Sequence, residues 1–211
     1  MKVLLVNGSP HKNGCTNRAL EVVAETLKSE GVDSEIYWIG NKPIGGCIGC
    51  FACVKKKQCV TEDRVNEFTR LAAEYDGFVF GSPVYFSGIN GSLMSFLDRV
   101  FFSASAQEPH PFRHKPATAL VSARRAGTTS ALDQIYKYLQ HQQMPIVTSR
   151  YWNMVHGNTP EEVMQDAEGL QTLRVLARNM AWLLKLKEAG KKAGVPLPQP
   201  EPVRMSTNFI R

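Results

Sequence analysis

The chain has 211 residues, of which 43% are hydrophobic and 21% charged, with a formal net charge of +6. This composition is ordinary for a globular domain, and no apolar run approaches the ~20 residues of a membrane-spanning helix. The apolar start at residues 2–7 is too short for a signal peptide. We therefore expect a cytoplasmic protein that does not bind membranes. No basic stripe or nucleic-acid motif accompanies the positive charge, so we expect no nucleic-acid partner.

Short apolar runs alternate along the chain with segments of helical spacing. The predicted strands are 2–7, 33–38, 77–81, 117–122 and 146–149. The predicted helices are 17–30, 65–75, 91–102, 128–143 and a final helix in two parts from 159 to about 192. Such alternation predicts an α/β fold with a five-stranded parallel sheet covered by helices on both faces. We expect one domain over residues 1–193, which contains a cysteine-rich loop at 39–61, and an extended tail with four prolines at 194–211.

The turn between the first strand and the first helix has the composition of an anion site. Gly8 and Gly14 allow tight turns, and hydroxyl and amide side chains follow close to a helix N-terminus, where anions are favoured. The candidate phosphate ligands are Ser9, His11, Cys15, Thr16 and Asn17. Thr16 or Asn17 also fits as a helix cap. The turn matches neither the P-loop nor the Rossmann fingerprint, so a monophosphate is the expected ligand.

Two further turns follow the third and fourth predicted strands and suit a flat heteroaromatic ring. Ligands of open parallel sheets bind beyond the carboxyl ends of the strands, between apolar walls with a few polar groups. The candidate ring-binding residues are Pro83, Val84, Tyr85, Phe86 and Asn90 in one turn, and Ala123, Arg124, Arg125, Gly127 and Thr128 in the other. The alternatives are that Tyr85 and Phe86 belong to the core and that the two arginines are solvated surface charges.

Four of the five cysteines, Cys47, Cys50, Cys53 and Cys59, follow the pattern C-x2-C-x2-C-x5-C. Four thiolates suit a [4Fe–4S] cluster or a zinc ion, and this spacing differs from the bacterial ferredoxin run, which ends C-x3-C-P. Free or redox-active thiols are the remaining alternative.

These motifs together resemble a known family. Gly8-Ser-Pro with Thr16-Asn17, Gly81-Ser-Pro-Val-Tyr-Phe, Arg124-Arg-Ala-Gly-Thr and Ser206-Thr-Asn-Phe-Ile-Arg are similar to the NAD(P)H-dependent FMN reductases, and most of all to their iron–sulfur flavoprotein branch. The resemblance implies a flavodoxin-like three-layer sandwich. It also implies that the first turn binds the FMN phosphate and the other two bind the isoalloxazine ring. Cys15 departs from the family, which often has a polar residue there.

The resemblance also implies a [4Fe–4S] cluster on the four cysteines beside FMN, and a homodimer or homotetramer. We therefore expect an oxidoreductase that takes hydride from NAD(P)H onto FMN and reduces flavin, a quinone or a similar small acceptor. The alternative is an electron carrier that serves a ferredoxin, and a third option is a binding module without redox chemistry. The flavin supplies the chemistry, so no catalytic residue is assigned, although Tyr85 and Arg124 are expected to line the substrate face.

Overall fold

The computed structural model describes residues 1–199, 201, 203, 205, 207 and 209. Its strands are β1 (Lys2–Asn7), β2 (Asp33–Trp38), β3 (Gly77–Tyr85), β4 (Gly88–Ile89), β5 (Ala117–Ala123) and β6 (Met154–His156). Its helices are α1 (Cys15–Ser29), α2 (Ala52–Lys56), α3 (Arg64–Leu71), α4 (Gly91–Ala104), α5 (Thr128–His141), α6 (Pro160–Val163) and α7 (Ala167–Lys192), with a 3-10 turn at Ala72–Glu74. None of these helices is long and apolar enough to cross a membrane.

The sheet has the order β2-β1-β3-β5-β6, with all four pairings parallel, and the two-residue β4 folds back antiparallel on the end of β3. The central strands are apolar on both faces because helices cover both sides, as in β1, where residues 3–6 are fully buried. The predicted flavodoxin-like α/β fold with five parallel strands is confirmed.

One predicted strand lies elsewhere. Residues 146–149 do not form the fifth strand: Ile146 makes an isolated bridge to Ala117, and the edge strand of the sheet is β6. Between Ile146 and β6 the chain does not form a strand beside β5. The buried Asn153 side chain instead donates a hydrogen bond from Nδ2 to the Ala119 carbonyl of β5 at 3.0 Å. A hydrogen bond from a side chain to a strand carbonyl produces no periodic pattern in the sequence, so the sequence could not predict this arrangement.

Two other expectations need adjustment. The cysteine-rich loop contains a short helix, α2, and β3 runs four residues beyond its predicted end. The final helix is in two parts as predicted, α6 and α7. Residues 195–199 have neither helix nor strand, whereas the rest of the expected tail, including the motif at 206–211, lies partly outside the described residues.

The two faces of the sheet bury different cores. The face covered by α3, α4 and α5 is aromatic, with Phe68, Phe78, Phe80, Phe96 and Phe112 all fully buried. The face covered by α1 and α7 is aliphatic. Both helix layers therefore have a continuous apolar surface on which to pack, and polar side chains are left to gather at the ends of the strands.

The turn after β1 touches the backbone of strand β3. The Gly8 amide donates to the Gly81 carbonyl at 2.9 Å. A Cβ atom on Gly8 would lie 2.6 Å from Leu93 Cδ2 and 2.8 Å from the Gly81 oxygen. Glycine is therefore required at residue 8 for space, because any side chain would push the first turn away from β3 and α4.

We expect Gly8→Ala to lower the free energy of unfolding by about 1–3 kcal/mol, the usual cost of overpacking. The measurement is urea unfolding followed by circular dichroism. Gly91→Ala is the matched control, because a Cβ at the start of α4 meets nothing within 4 Å. Equal stability of the two variants would contradict the close approach at Gly8.

Candidate functional site

The N-terminus of α1 has free amide groups. Its N-cap is Gly14, and no side chain caps the helix, so neither Thr16 nor Asn17 has the capping role. Among the described residues, the amides of Cys15, Thr16 and Asn17 have no acceptor. The first amides of a helix carry partial positive charge and attract anions. This end of α1 is therefore suited to a phosphate group.

Side chains brace the turn that leads to this helix. The Ser9 amide donates to Asn7 Oδ1 at 3.0 Å, and the Ser9 hydroxyl accepts from the His11 amide at 3.1 Å. Trp38, at the end of β2, donates from Nε1 to the Ser9 carbonyl at 2.8 Å. The turn is thus fixed from β1 and from β2, and the His11 side chain is left at the surface.

Three of the predicted phosphate ligands already have protein partners for their side chains. The buried Thr16 hydroxyl lies 2.8 Å from the Ser122 hydroxyl at the end of β5. The Asn17 side chain accepts from Asn7 and donates to Glu21. Cys15 Sγ lies 3.7 Å from the Gly157 carbonyl. These three residues present backbone amides to the proposed anion site while their side chains hold the surrounding elements together.

The last residue of β3, Tyr85, and the first residue after it, Phe86, project aromatic side chains into solvent. Phe86 is fully exposed and Tyr85 is 43% exposed, so neither belongs to the core. Phe86 and Ser87 have left-handed backbones, with φ of 49° and 61°. They are the two central residues of the hairpin between β3 and β4, and a two-residue hairpin turn favours positive φ at both positions. The hairpin tip therefore presents an exposed aromatic side chain that is available to form one wall of a ring site.

The turns after β3 and β5 meet each other. Gly127 has φ of 95°, and a Cβ there would lie 2.7 Å from Ser87 Cα and 3.0 Å from Val84 Cγ1. The other predicted ring-binding residues surround this contact. Pro83 is half-buried, Ala123 and Thr128 are buried, and Arg124 and Arg125 are exposed.

Asn90 serves the next helix. The side-chain Oδ1 of Asn90 accepts hydrogen bonds from the Ser92 and Leu93 backbone amides and so caps α4. The backbone amide of Asn90 donates to the Ser82 hydroxyl. The structure thus brings the three predicted turns to one edge of the sheet, and it gives the Asn90 side chain a helix-capping contact.

The four cysteines of the C-x2-C-x2-C-x5-C motif line one cavity. Cys53 is buried, Cys59 half-buried, and Cys47 and Cys50 are exposed at its rim. Burial raises the pKa of the Cys53 thiol, and the neighbouring Cys50, Cys47 and Cys59 raise it further. In the part of the chain that the structure describes, no three Cys, His, Asp or Glu side chains are grouped as a single metal ion requires.

The cavity lies against α4, whose residues Arg99, Phe102 and Ser103 form its inner wall. Cys59 is pinned by Asn66 of α3, which accepts from the Cys59 amide and donates to the Cys59 carbonyl, both at 2.9 Å. Arg99 Nε donates to Cys59 Sγ at 3.4 Å. Burial lowers the pKa of Arg99, but its hydrogen bonds to Asp63 and Cys59 outweigh that effect and raise it above the ordinary value.

Comparison with known proteins identifies the family. The family model of NADPH-dependent FMN reductase matches residues 1–159. The chain belongs to the NADPH-dependent FMN reductase family. Several of its curated relatives carry the name iron–sulfur flavoprotein. One from Methanocaldococcus jannaschii is 30% identical over 193 residues, which cover 88% of this chain and 98% of that protein. One from Clostridioides difficile is 29% identical over 138 residues, which cover 64% of this chain and 60% of that protein.

Solved structures agree on the fold of this FMN reductase family member. RosB, solved with 8-demethyl-8-formylriboflavin-5'-phosphate bound, superposes with a TM-score of 0.68 at 13% identity, over all of this chain and 94% of that one. An archaeal flavodoxin superposes with a TM-score of 0.57 at 15% identity, over 88% of this chain and 99% of that one. At such identities the likeness establishes the flavodoxin-like fold alone.

Sequence reasoning missed four residues that shape the site: Asn7, Trp38, Asn66 and Arg99. Asn7 and Trp38 are the last residues of β1 and β2. Their place at the carboxyl ends of predicted strands could have marked them as site residues. Asn66 and Arg99 are polar residues on the buried faces of α3 and α4, where an apolar residue would be expected. Their burial is visible only in the structure, so neither residue left a signal in the sequence.

We expect Phe86→Ala to change the free energy of unfolding by less than about 0.5 kcal/mol, as for other exposed residues. The control is Phe80→Ala, which we expect to cost about 3–5 kcal/mol because Phe80 is fully buried. Chemical denaturation of the ligand-free protein measures both. A loss at Phe86 close to that at Phe80 would place Phe86 in the core instead of in a ligand-binding wall.

Proposed function

We propose that this protein is an FMN-dependent oxidoreductase that accepts hydride from NAD(P)H and passes electrons to a small acceptor such as a flavin or quinone. The observation that carries the proposal is the uncapped N-terminus of α1, which lies at the same sheet edge as the two turns that touch at Gly127. Membership of the NADPH-dependent FMN reductase family supports the cofactor and the co-substrate.

The residues have distinct tasks in this proposal. The free amides of Cys15, Thr16 and Asn17, with the Ser9 hydroxyl, bind the phosphate of FMN. Helix dipole and backbone donors suffice for this, so the cysteine at residue 15 does not weaken the site. Tyr85, the last residue of β3, supplies an apolar wall for the ring.

Charge near the ring comes from the turn after β5. Arg124 and Arg125 are exposed there, shortly before the left-handed Gly127, which is the N-cap of α5. FMN, when bound, accepts a hydride and donates electrons singly or in pairs, and its reduced form carries negative charge. A cationic group and a helix N-terminus near the ring stabilise that charge.

A second candidate function, an electron carrier with an iron–sulfur cluster, is favoured by the cysteine cavity. The donor set fits: four thiols line one cavity, and an N–H donor contacts one of their sulfurs. Thiolates on one zinc ion lie about 3.8 Å apart because the Zn–S distance is ~2.3 Å. A [4Fe–4S] cluster spreads its four thiolates over separate iron atoms. Both groups would use the same four thiols, so the iron and sulfide assays described below distinguish them.

The cavity and the ring turns share a helix, which supports electron transfer between the two proposed sites. Asn90 caps α4 at the ring turn, and Arg99 of the same helix contacts Cys59. Nine residues of helix span about 14 Å. In this second candidate the partner is a ferredoxin, and in both candidates we propose a homodimer or homotetramer that covers the exposed Phe86.

The first experiment is a visible spectrum of anaerobically purified protein, with iron and acid-labile sulfide assays on the same sample. We expect flavin bands that bleach when NADPH or NADH is added under anaerobic conditions. Iron and sulfide near four per chain, as one [4Fe–4S] site requires, would add the carrier function. Failure to bind added FMN would contradict the whole proposal.

The control for the iron assay is a pair of cysteine variants. Cys53→Ser removes a thiol of the cavity, and we expect it to lose most of the iron. Cys15→Ser changes the one cysteine that lies outside the cavity, and we expect it to keep the iron. Equal iron in both variants would show that the metal is bound elsewhere.

Ser9→Ala should weaken FMN binding about tenfold to a hundredfold, because a hydrogen bond to a charged group contributes about 1.5–3 kcal/mol. Fluorescence titration of the ligand-free protein measures the effect. Riboflavin, which lacks the phosphate, is the matched ligand, and its weaker binding should not change. An equal loss for both ligands would mean that Ser9 acts on the ring or on folding instead of on the phosphate.

A further inference from the structure

Arg99 is a buried cation on a helix face that is otherwise apolar. It lies in the middle of α4 and is 3% exposed, and Phe96, Leu97 and Val100 around it are in the core. Removing a charge from water costs several kcal/mol unless the group is fully paired. An arginine in this position therefore needs a specific set of partners.

All five N–H groups of Arg99 have an acceptor. Nε donates to Cys59 Sγ at 3.4 Å. Nη1 donates to the Gly45 carbonyl at 3.3 Å and to Asp63 Oδ2 at 2.7 Å. Nη2 donates to the Thr61 carbonyl at 3.1 Å and to Asp63 Oδ1 at 2.9 Å. The guanidinium group has five donors and none is left over.

These acceptors come from both ends of the cysteine loop. Gly45 lies two residues before Cys47, the first cysteine, whereas Thr61 and Asp63 follow Cys59, the last. One side chain of α4 therefore holds the entry and the exit of the loop together and fixes Cys59 between them. A loop of this length gains order from such a clamp because its own residues form only one short helix, α2.

The two charged groups around Cys59 act in opposite directions. Asp63 pairs with Arg99 through both carboxylate oxygens and offsets most of its positive charge. The Nε–H group points the other way, at the cysteine sulfur. Hydrogen bonds to ligating sulfurs and the local charge are among the factors that set the potential of an iron–sulfur group.

We propose that Arg99 is a positioning residue that closes the cysteine loop and, through its Nε–H, raises the reduction potential of the iron–sulfur group at the four cysteines. The redox part rests on the proposed function, and the closing part does not. Reduction adds one electron, and hence negative charge, to the group and its thiolates. A donor to Cys59 stabilises the reduced form more than the oxidised form.

The redox test uses variants of opposite expected sign. Arg99→Gln removes the cation and should shift the midpoint potential to more negative values. Asp63→Asn leaves the cation less compensated and should shift it to more positive values. Asn retains the cap that Asp63 provides to the Val65 amide, so α3 should stay intact. Arg99→Lys keeps the charge without the five-donor geometry and should fall between Arg99→Gln and the unaltered protein.

The measurement is an anaerobic redox titration of each full-length protein, followed by visible absorbance at equal iron content. Arg70→Gln is the matched control, since Arg70 is exposed and pairs with Glu62 outside the cavity. Opposite shifts for Arg99→Gln and Asp63→Asn, with none for Arg70→Gln, are the expected result. Shifts of the same sign, or no shift in either variant, would overturn the redox part, because a purely structural clamp predicts a common effect.

The closing part has its own readout in protein stripped of metal. Lys55, Lys56 and Lys57 are exposed in the loop and are sites for trypsin. We expect tryptic cleavage there to be several-fold faster in Arg99→Gln than in the unaltered protein or in Arg70→Gln. Equal cleavage rates would overturn the clamp.

The two readouts also separate this proposal from the proposed function. If the unaltered protein binds FMN but takes up no iron, both the proposed cluster and the redox part fail. The trypsin experiment still tests whether Arg99 holds the cysteine loop closed. If Arg99→Gln does not fold, Arg99→Lys replaces it in the trypsin test and Asp63→Asn carries the redox test. A negative shift in Asp63→Asn would then overturn the redox part.

Discussion

Strand β1 pairs in parallel with β2 on one side and with β3 on the other, so three segments of chain leave the sheet at the same edge. These segments are the turn into α1, the cysteine loop after β2 and the aromatic turn after β3. Parallel pairing places them together before any side chain makes a contact. The backbone contact of Gly8 with Gly81 then sets how closely the turn into α1 approaches strand β3. Side chains such as Trp38 fix the arrangement that the strands impose.

Polar side chains at this edge are used to hold elements together. Thr16 joins α1 to β5 through Ser122, and Asn66 joins α3 to the backbone of Cys59. Both are buried, where an unpaired hydroxyl or amide would be costly, so their partners are needed for stability. This leaves backbone amides at the helix terminus as the free donors. The proposed phosphate site would be built from backbone and would tolerate changes of side chain, so the cysteine at the start of α1 is compatible with it.

The sequence was sufficient for the order of elements and for the turns after β1 and β5, which follow from apolar periodicity and from small residues at strand ends. It placed the end of the third strand too early, because Gly81-Ser-Pro lies inside β3. It was insufficient where a side chain replaces a backbone interaction. The edge strand was predicted at 146–149, whereas the structure has it at β6, and the Asn153 side chain donates to a carbonyl of β5 just before that strand. It was also insufficient for Arg99, since spacing cannot tell that an arginine in helix α4 is buried.

Helix α4 connects the aromatic turn after β3 with the cysteine cavity. Its first turn is capped by Asn90, which ends the aromatic turn, and its middle carries Arg99 on the cysteine cavity. A helix is stiff over this length, so a displacement at one end is carried to the other with little loss. The clamp at Arg99 ties the cysteine loop to the same rigid body that orders the aromatic turn. The separation between the two proposed redox groups is therefore fixed by one helix, whereas two independent loops would leave it variable.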